Sequence, residues 1–304
     1  MKRDFLRVLD LTENEVSGIL IRASELKSGV DKMKCPLIGK SIGLLFEKPS
    51  TRTRVSFDIG IYQMGGHPVY MTPQELQLGR GETIEDTART LSRYLDAIVI
   101  RTFSHEKLIR FSDASSIPVI NGLSDLHHPC QALADLMTIM EKKGKLKGLK
   151  IAYIGDGNNV ANSLIEAAAI TGMNITIACP EGYEPDGEVL EKAREISSSE
   201  IVIVRDPKEA AGMAHVVYTD VWVSMGQEKE AEEKKKHFKG YQINSSLLQC
   251  ARPDAIVMHC LPAHRGEEIT DEVIDGAQSV VFDQAENRLH VQKALLEFLL
   301  QKKD

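Results

Sequence analysis

The sequence of 304 residues predicts two doubly wound α/β domains, each a parallel sheet covered by helices. Three observations carry that expectation. Strand-like apolar runs alternate with helical patterns almost from end to end, the connections between them are short, and one Lys/Gly-rich stretch near the middle breaks the alternation. The length suits two domains of about 150 residues, each able to bury a core of its own.

In chain order, Thr12 and Glu15 have the spacing of a capping box and open a helix to about Lys27. Ser41–Phe46 reads as a strand, Thr51–Met64 as a helix and Pro68–Met71 as a short strand. Thr83 and Asp86 stand at a cap-like spacing before a helix to Leu95. Strands follow at Ala97–Arg101 and Pro118–Asn121, separated by a helix around Glu106–Ser112, and a longer helix spans Cys130–Lys142. The stretch Lys142–Gly148 is the expected domain boundary. Beyond it come strand Lys150–Ile154, helix Val160–Thr171, strand Ile175–Ala178, helix Gly187–Ser197 and strand Ile201–Val204. Val216–Thr219, Ala255–Met258 and Val280–Phe282 read as further strands, and an amphipathic helix from about Leu289 to Leu300 ends the pattern. The charged run Lys229–Lys239 reads as a solvated helix.

Composition narrows the function classes. A hydrophobic content of 42% and a charged content of 27% are those of an ordinary globular chain. A formal charge of −7, with no basic stripe or tail, argues against a nucleic-acid partner. Five scattered cysteines without CxxC pairs suggest a reduced, intracellular chain. No apolar run approaches membrane-spanning length and the first residues lack a signal-peptide pattern, so the expected location is the cytoplasm.

The segment Glu47-Lys48-Pro49-Ser50-Thr51-Arg52-Thr53-Arg54 packs hydroxyls and guanidiniums into a turn between a strand and a helix. Helix first-turn N–H groups attract anions, hydroxyls add donors, and arginine matches phosphate oxygens two at a time, so this reads as a phosphate site. It lacks the glycines and lysine of a P-loop. Other unusual residues also fall just past expected strands: Arg101, His127-His128-Pro129-Cys130-Gln131, Asp156-Gly157-Asn158-Asn159, Asp220 with Ser224-Met225-Gly226, His259-Cys260-Leu261-Pro262, and Arg288. Taken singly, each is better explained as a satisfied core histidine, a helix cap or a surface arginine. Ligand crevices of such sheets lie at the carboxyl ends of the strands, where these groups are expected to meet across an interdomain cleft.

Ser50-Thr51-Arg52-Thr53-Arg54, His128-Pro129-Cys130-Gln131 and His259-Cys260-Leu261-Pro262 resemble, in order and spacing, the signatures of the aspartate/ornithine carbamoyltransferase family. The resemblance runs over essentially the whole chain, and Asp156–Asn159 with Asp220–Gly226 is similar to its ornithine branch. It implies a carbamoyl phosphate-binding domain over 1–142, with a C-terminal helix 287–304 packing back on it, and an ornithine-binding domain over 150–286. It further implies that Ser50, Thr51, Arg52 and Thr53 hold the phosphate and that Arg101 bridges phosphate and carbonyl. Thr53 and His128 would donate to the carbonyl oxygen, while Gln131 and the Leu261 carbonyl accept from the carbamoyl NH2. Pro129, Cys130 and Cys260 would line that site, and Arg288 would be a further phosphate-side contact. Asp220 would pair with the α-ammonium of ornithine, and Asn159, Ser224 and the Met225 backbone with its α-carboxylate and α-amino group. Arg101, His128 and Cys260 would be catalytic; Cys260 or the departing phosphate would take the proton of the attacking amine. The implied reaction forms citrulline and phosphate from carbamoyl phosphate and L-ornithine, in arginine metabolism, without metal or organic cofactor.

The stretch Thr72–Glu82 reads locally as a polar loop. The resemblance implies a loop that carries Gln77 into a neighbouring subunit's site, making a homotrimer with shared sites. Other amines (an N-acylornithine, putrescine or aspartate) are the near alternatives. A nicotinamide-dependent dehydrogenase is the alternative from another class, resting on Gly155-Asp156-Gly157, although Val160 stands where its fingerprint wants Gly or Ala. A zinc hydrolase built on His259, Cys260 and His264 fits no common ligand spacing.

Overall fold

The computed structural model describes residues 2–29, 35–74, 76, 81–223 and 231–301. The chain forms two compact units, one from Met1–Met137 and Glu286–Asp304 and one from Thr138–Ala285.

In the first unit, strands β1 (Ser41–Phe46), β2 (His67–Met71), β3 (Ala97–Arg101) and β4 (Val119–Leu123) form a sheet of order β2-β1-β3-β4, parallel at every pairing. All five residues of β3 and five of six in β1 are buried, as expected of central strands covered on both faces. Helices α2 (Thr51–Gln63), α3 (Ile84–Leu91) and α4 (His105–Ala114) connect them, α1 (Glu13–Ser28) precedes β1 and α5 (Pro129–Lys143) follows β4. The caps follow the sequence: the Thr12 and Thr83 hydroxyls accept from Glu15 N and Asp86 N, and the Glu15 carboxylate returns to Thr12 N. Helix α3 stops four residues short of the expected Leu95, because the chain must reach β3, where Asp96 N donates to Ser41 O at 2.8 Å.

The second unit places β5 (Lys150–Ile154), β6 (Asn174–Ala178), β7 (Ile201–Val204), β8 (Val216–Thr219) and β9 (Ile256–His259) in the order β7-β6-β5-β8-β9, again all parallel. Its helices are α6 (Asn159–Thr171), α7 (Gly187–Ile196), α8 (Pro207–Ala211), α9 (Ala231–His237), α10 (Ser245–Leu248) and α11 (Asp271–Ile274). The short α8, α10 and α11 escape a periodicity reading because each is five residues or fewer.

Two expectations are corrected. Val280–Phe282 is no strand: Ser279 makes one isolated bridge to Val257, and helix α12 (Val281–Leu300) begins at once. A three-residue apolar run cannot be told from a buried helix turn by periodicity, and Gln284 N already donates helically to Val280 O. The final helix therefore starts eight residues before Leu289, and Arg288 lies inside it. The run around Lys229–Lys239 is not wholly solvated either, since Lys234 of α9 is buried. The C-terminal part of α12 belongs to the first unit, where Glu297 pairs with Arg22 at 2.9 Å and Lys293 donates to Gln63 at 3.0 Å.

Candidate active site

Each sheet has a switch point, where connections leave in opposite directions and the strand ends open a crevice. In the first unit it lies between β1 and β3; in the second, between β5 and β8. The chemistry-bearing residues gather at these two places.

At the first switch point, Phe46 of β1 pairs with Arg101 of β3, and Glu47 N donates to Arg101 O at 2.8 Å. Ser50 caps α2 by accepting from Thr53 N, so Thr51, Arg52 and Thr53 form the helix's first turn, where backbone N–H groups and the macrodipole favour anions. Arg288 reaches the same turn from α12. Its guanidinium is 1% exposed and donates to Thr53 Oγ1 at 3.0 Å and to Gln131 Oε1 at 2.8 Å. Gln131 Nε2 in turn donates a hydrogen bond to Asp135 Oδ1 at 2.8 Å. Arg288 thus orients two proposed donor-site residues and is more than a peripheral phosphate contact. Because Thr53 Oγ1 accepts from Arg288, its own proton is left to donate elsewhere.

His128 precedes Pro129 at the start of α5, with its carbonyl accepting from Gln131 N. Burial, then the nearby guanidiniums of Arg288, Arg101 and Arg52, hold its imidazole well below the ordinary histidine range. It is a neutral group among cations. Cys130 is buried beside it, its Sγ donating to Asn121 O, and desolvation pushes that thiol up to about 12. Lys48 is also buried, its ammonium 3.9 Å from the Phe103 ring centre, with burial and Arg101 lowering its pKa. The site is strongly cationic although the chain carries a net −7.

The second switch point is anionic. Asp220, just past β8, accepts from Cys260 Sγ at 2.9 Å and from Asn158 Nδ2 at 2.8 Å. Asn158 also caps α6 through Oδ1, which takes the N–H groups of Val160 and Ala161, and it receives the Tyr153 hydroxyl at 3.2 Å. Asn159 is the first residue of α6. Asp156, past β5, pairs with Lys234 at 2.6 Å. The adjacent His259 is fully buried: Nδ1 accepts from Leu261 N, which leaves Nε2 to donate to Glu268 at 3.0 Å. That bond secures Leu261, whose φ of 54° is unusual for a branched residue.

Of the residues the sequence nominates, Arg52, Thr53, Arg101, His128 and Gln131 lie at the first place and Asn159, Asp220, Cys260 and Leu261 at the second, although Cys260 and Leu261 are expected with the carbamoyl phosphate set. Sequence reasoning missed Lys48, Asn158, Lys234 and Glu268. Of these, Lys48 and Asn158 stand inside named motifs without a role of their own, Lys234 stands inside the charged run Lys229–Lys239, and Glu268 has no periodic or motif signal. Gln77, Ser224 and Met225 lie outside the described residues.

The geometry disposes of two alternatives. A Cβ on Gly157 would lie 2.2 Å from Pro185 N and 2.3 Å from Glu184 C, so the glycine admits this chain's own backbone where a dinucleotide fingerprint needs its ligand. The metal trio does not form one set: His259 and Cys260 group with Asp220, His264 groups with Glu267 and Glu268, and both His259 nitrogens are engaged in hydrogen bonds. Among the described residues no helix is long and apolar enough to cross a membrane.

Side chains gathered at parallel-sheet switch points in both units mark a two-domain enzyme of the doubly wound α/β class. Comparison with known families is specific. Residues 3–141 match the carbamoyl-P binding domain of aspartate/ornithine carbamoyltransferase, and residues 147–299 match its Asp/Orn binding domain. The chain is 54% identical over 302 residues to the ornithine carbamoyltransferase of Syntrophus aciditrophicus, covering 99% of this chain and 100% of that one. The Thermococcus kodakarensis ornithine carbamoyltransferase is 54% identical, with 98% and 96% covered. The solved ornithine carbamoyltransferase from Pyrococcus furiosus superposes with a TM-score of 0.93 at 52% identity, covering 97% of this chain and 96% of that one. This chain belongs to the aspartate/ornithine carbamoyltransferase family.

Proposed function

We propose that this enzyme transfers the carbamoyl group of carbamoyl phosphate to the side-chain amine of L-ornithine, giving L-citrulline and phosphate in arginine biosynthesis. The observation that carries the reading is the first-unit cluster, in which buried Arg288 fixes Thr53 in the first turn of α2 and Gln131 in the first turn of α5. Ser50, Thr51, Arg52, Thr53 and Arg101 bind the dianionic phosphoryl group. Thr53, Arg101 and His128 donate to the carbonyl oxygen, where negative charge develops; removing one such donor costs about 3–4 kcal/mol where it has been tested. The amine lone pair attacks the carbamoyl carbon, the tetrahedral intermediate collapses, and the C–O bond to phosphate breaks. Cys260 Sγ meets Asp220 Oδ1 at 2.9 Å, so we give Cys260 the task of orienting Asp220 and assign the amine proton to the departing phosphate, whose oxygen gains charge as the C–O bond breaks.

Asp220 receives the α-ammonium, and Asn159, Ser224 and Met225 the amino-acid end. An N-acylated substrate would leave Asp220 without a counter-charge. The apolar stripe Val55, Ile59 and Tyr62, exposed along α2, supports a subunit contact, and we propose a homotrimer in which Gln77 serves a neighbour's site. Five free cysteines favour the cytoplasm. The test is an amine panel with carbamoyl phosphate: ornithine should yield ureido product far faster than N-acetylornithine, putrescine or aspartate, and preference for any of those would overturn the assignment.

A further inference from the structure

A buried ion pair at the second switch point has no part in the reaction as described. Asp156 and Lys234 meet at 2.6 Å, with side chains 12% and 8% exposed. Lys234 also lies over the rings of Tyr183 and Phe238, at 5.4 and 5.9 Å. These aromatic faces favour a cation and hold the long side chain in one place. Asp156 is joined to Asp220 through Asn158, whose N–H donates to Asp156 O and whose Nδ2 donates to Asp220. That first bond is to the main-chain carbonyl of Asp156; the two carboxylates themselves stand past the neighbouring strands β5 and β8, where the charge of Asp220 acts on Asp156. Lys234 bonds the Asp156 carboxylate, while the Asp220 carboxylate accepts from Cys260 and Asn158, neither of them a cation.

That asymmetry has a chemical consequence. Without Lys234, two buried carboxylates would face the incoming amine, an arrangement suited to a dication. Without Asp156, the ammonium of Lys234 would turn to Asp220 and compete with the substrate for it. With both present, Asp156 is neutralised and Asp220 alone offers charge, which matches an amino acid whose reacting amine is uncharged. Burial raises the Asp156 pKa and the neighbouring Asp220 adds to that, so the lysine is also what keeps Asp156 ionised. We infer that Lys234 is a positioning and specificity-determining residue, which cancels Asp156 so that the acceptor site selects a zwitterionic amino acid over a diamine. The inference rests on ornithine being the acceptor.

The test is a charge-neutralisation double-mutant cycle read as steady-state kinetics, with melting temperatures measured for every variant. Lys234→Met and Asp156→Asn should each raise the KM for ornithine by about tenfold or more, with the KM for carbamoyl phosphate nearly unmoved. Lys234→Met should also shift the ornithine-to-putrescine preference toward putrescine. The double variant should recover most of the lost ornithine affinity, and Lys234→Arg should keep it. If the double variant is as impaired as the product of the singles, or if putrescine preference does not move, charge cancellation is wrong and the pair is only structural. Should Lys234→Met not fold, Asp156→Asn and its recovery in combination with Lys234→Gln decide the same point. Failure of the unmodified enzyme to use ornithine would instead overturn the proposed function and would show itself before any variant is made.

Discussion

Replacing Arg288 with methionine removes a buried guanidinium while keeping much of its volume. Two bonds vanish, to Gln131 Oε1 at 2.8 Å and to Thr53 Oγ1 at 3.0 Å, both out of reach of bulk water. Bonds to a charged partner are worth about 1.5–3 kcal/mol each, a gross loss of about 3–6 kcal/mol. Much of that is offset in the free protein, because a fully buried guanidinium no longer has to be kept desolvated. The folding cost should therefore stay near about 1–3 kcal/mol, while the affinity lost is that of a donor site whose Thr53 and Gln131 are no longer oriented. The KM for carbamoyl phosphate should rise about 10- to 100-fold, equivalent to about 1.4–2.8 kcal/mol, with the KM for ornithine within about twofold. A second reading comes from NMR titration of His128. Arg288 is the leading charge holding that imidazole neutral, so its pKa should climb in the variant. An unchanged KM for carbamoyl phosphate with an unmoved His128 titration would refute the cluster as a functional unit and leave Arg288 a packing residue.

Asp220→Asn should raise the KM for ornithine by about 30-fold or more, since truncating one partner of a buried charge pair costs about 2–5 kcal/mol; an effect confined to carbamoyl phosphate would contradict its role. The same variant should melt earlier, because an amide can accept from only one of the two donors, Cys260 Sγ and Asn158 Nδ2, that now meet two carboxylate oxygens. His128 governs part of the acid side of stability. Its folded pKa is depressed below 6.5, so as pH falls through 6.5 the unfolded chain takes up a proton that the folded one refuses, and stability drops by up to about 1.4 kcal/mol per pH unit. Denaturant melts between pH 7 and 5 should show a shallower loss for His128→Gln than for the unmodified chain; parallel slopes would mean His128 is not held neutral.

Much of this was legible in the chain because parallel α/β units write themselves in short apolar runs. β1, β3, β5, β7 and β8 fall where Ser41–Phe46, Ala97–Arg101, Lys150–Ile154, Ile201–Val204 and Val216–Thr219 were expected. Strand ends then nominate the site, since whatever polar residue follows a central strand must face the crevice. The same rule misled at Arg288. It seemed to follow a strand, whereas Val281 already starts a helix, and the side chain arrives at Thr53 from the middle of that helix. Lys234 and Glu268 were hidden for a different reason. Their burial depends on which partner the fold brings to them, Asp156 from 78 residues away in one case and His259 in the other, and a charged run in isolation resembles any solvated helix.

The two switch points carry opposite charge on the same topology, and the helix caps explain how. A helix that opens at a strand end brings positive potential with it, which helps an anion site and harms an ammonium site. At α2 the cap is a single bond, from Thr53 N to Ser50 Oγ, and the turn adds Arg52. At α6 one side-chain oxygen of Asn158 absorbs two first-turn N–H groups, at 2.9 and 3.3 Å, and its amide is turned toward Asp220. The helix end is thereby quenched before it reaches the carboxylate. An Asn158→Ala variant would expose those N–H groups and remove a donor from Asp220 together, so its damage should fall on ornithine and not on carbamoyl phosphate.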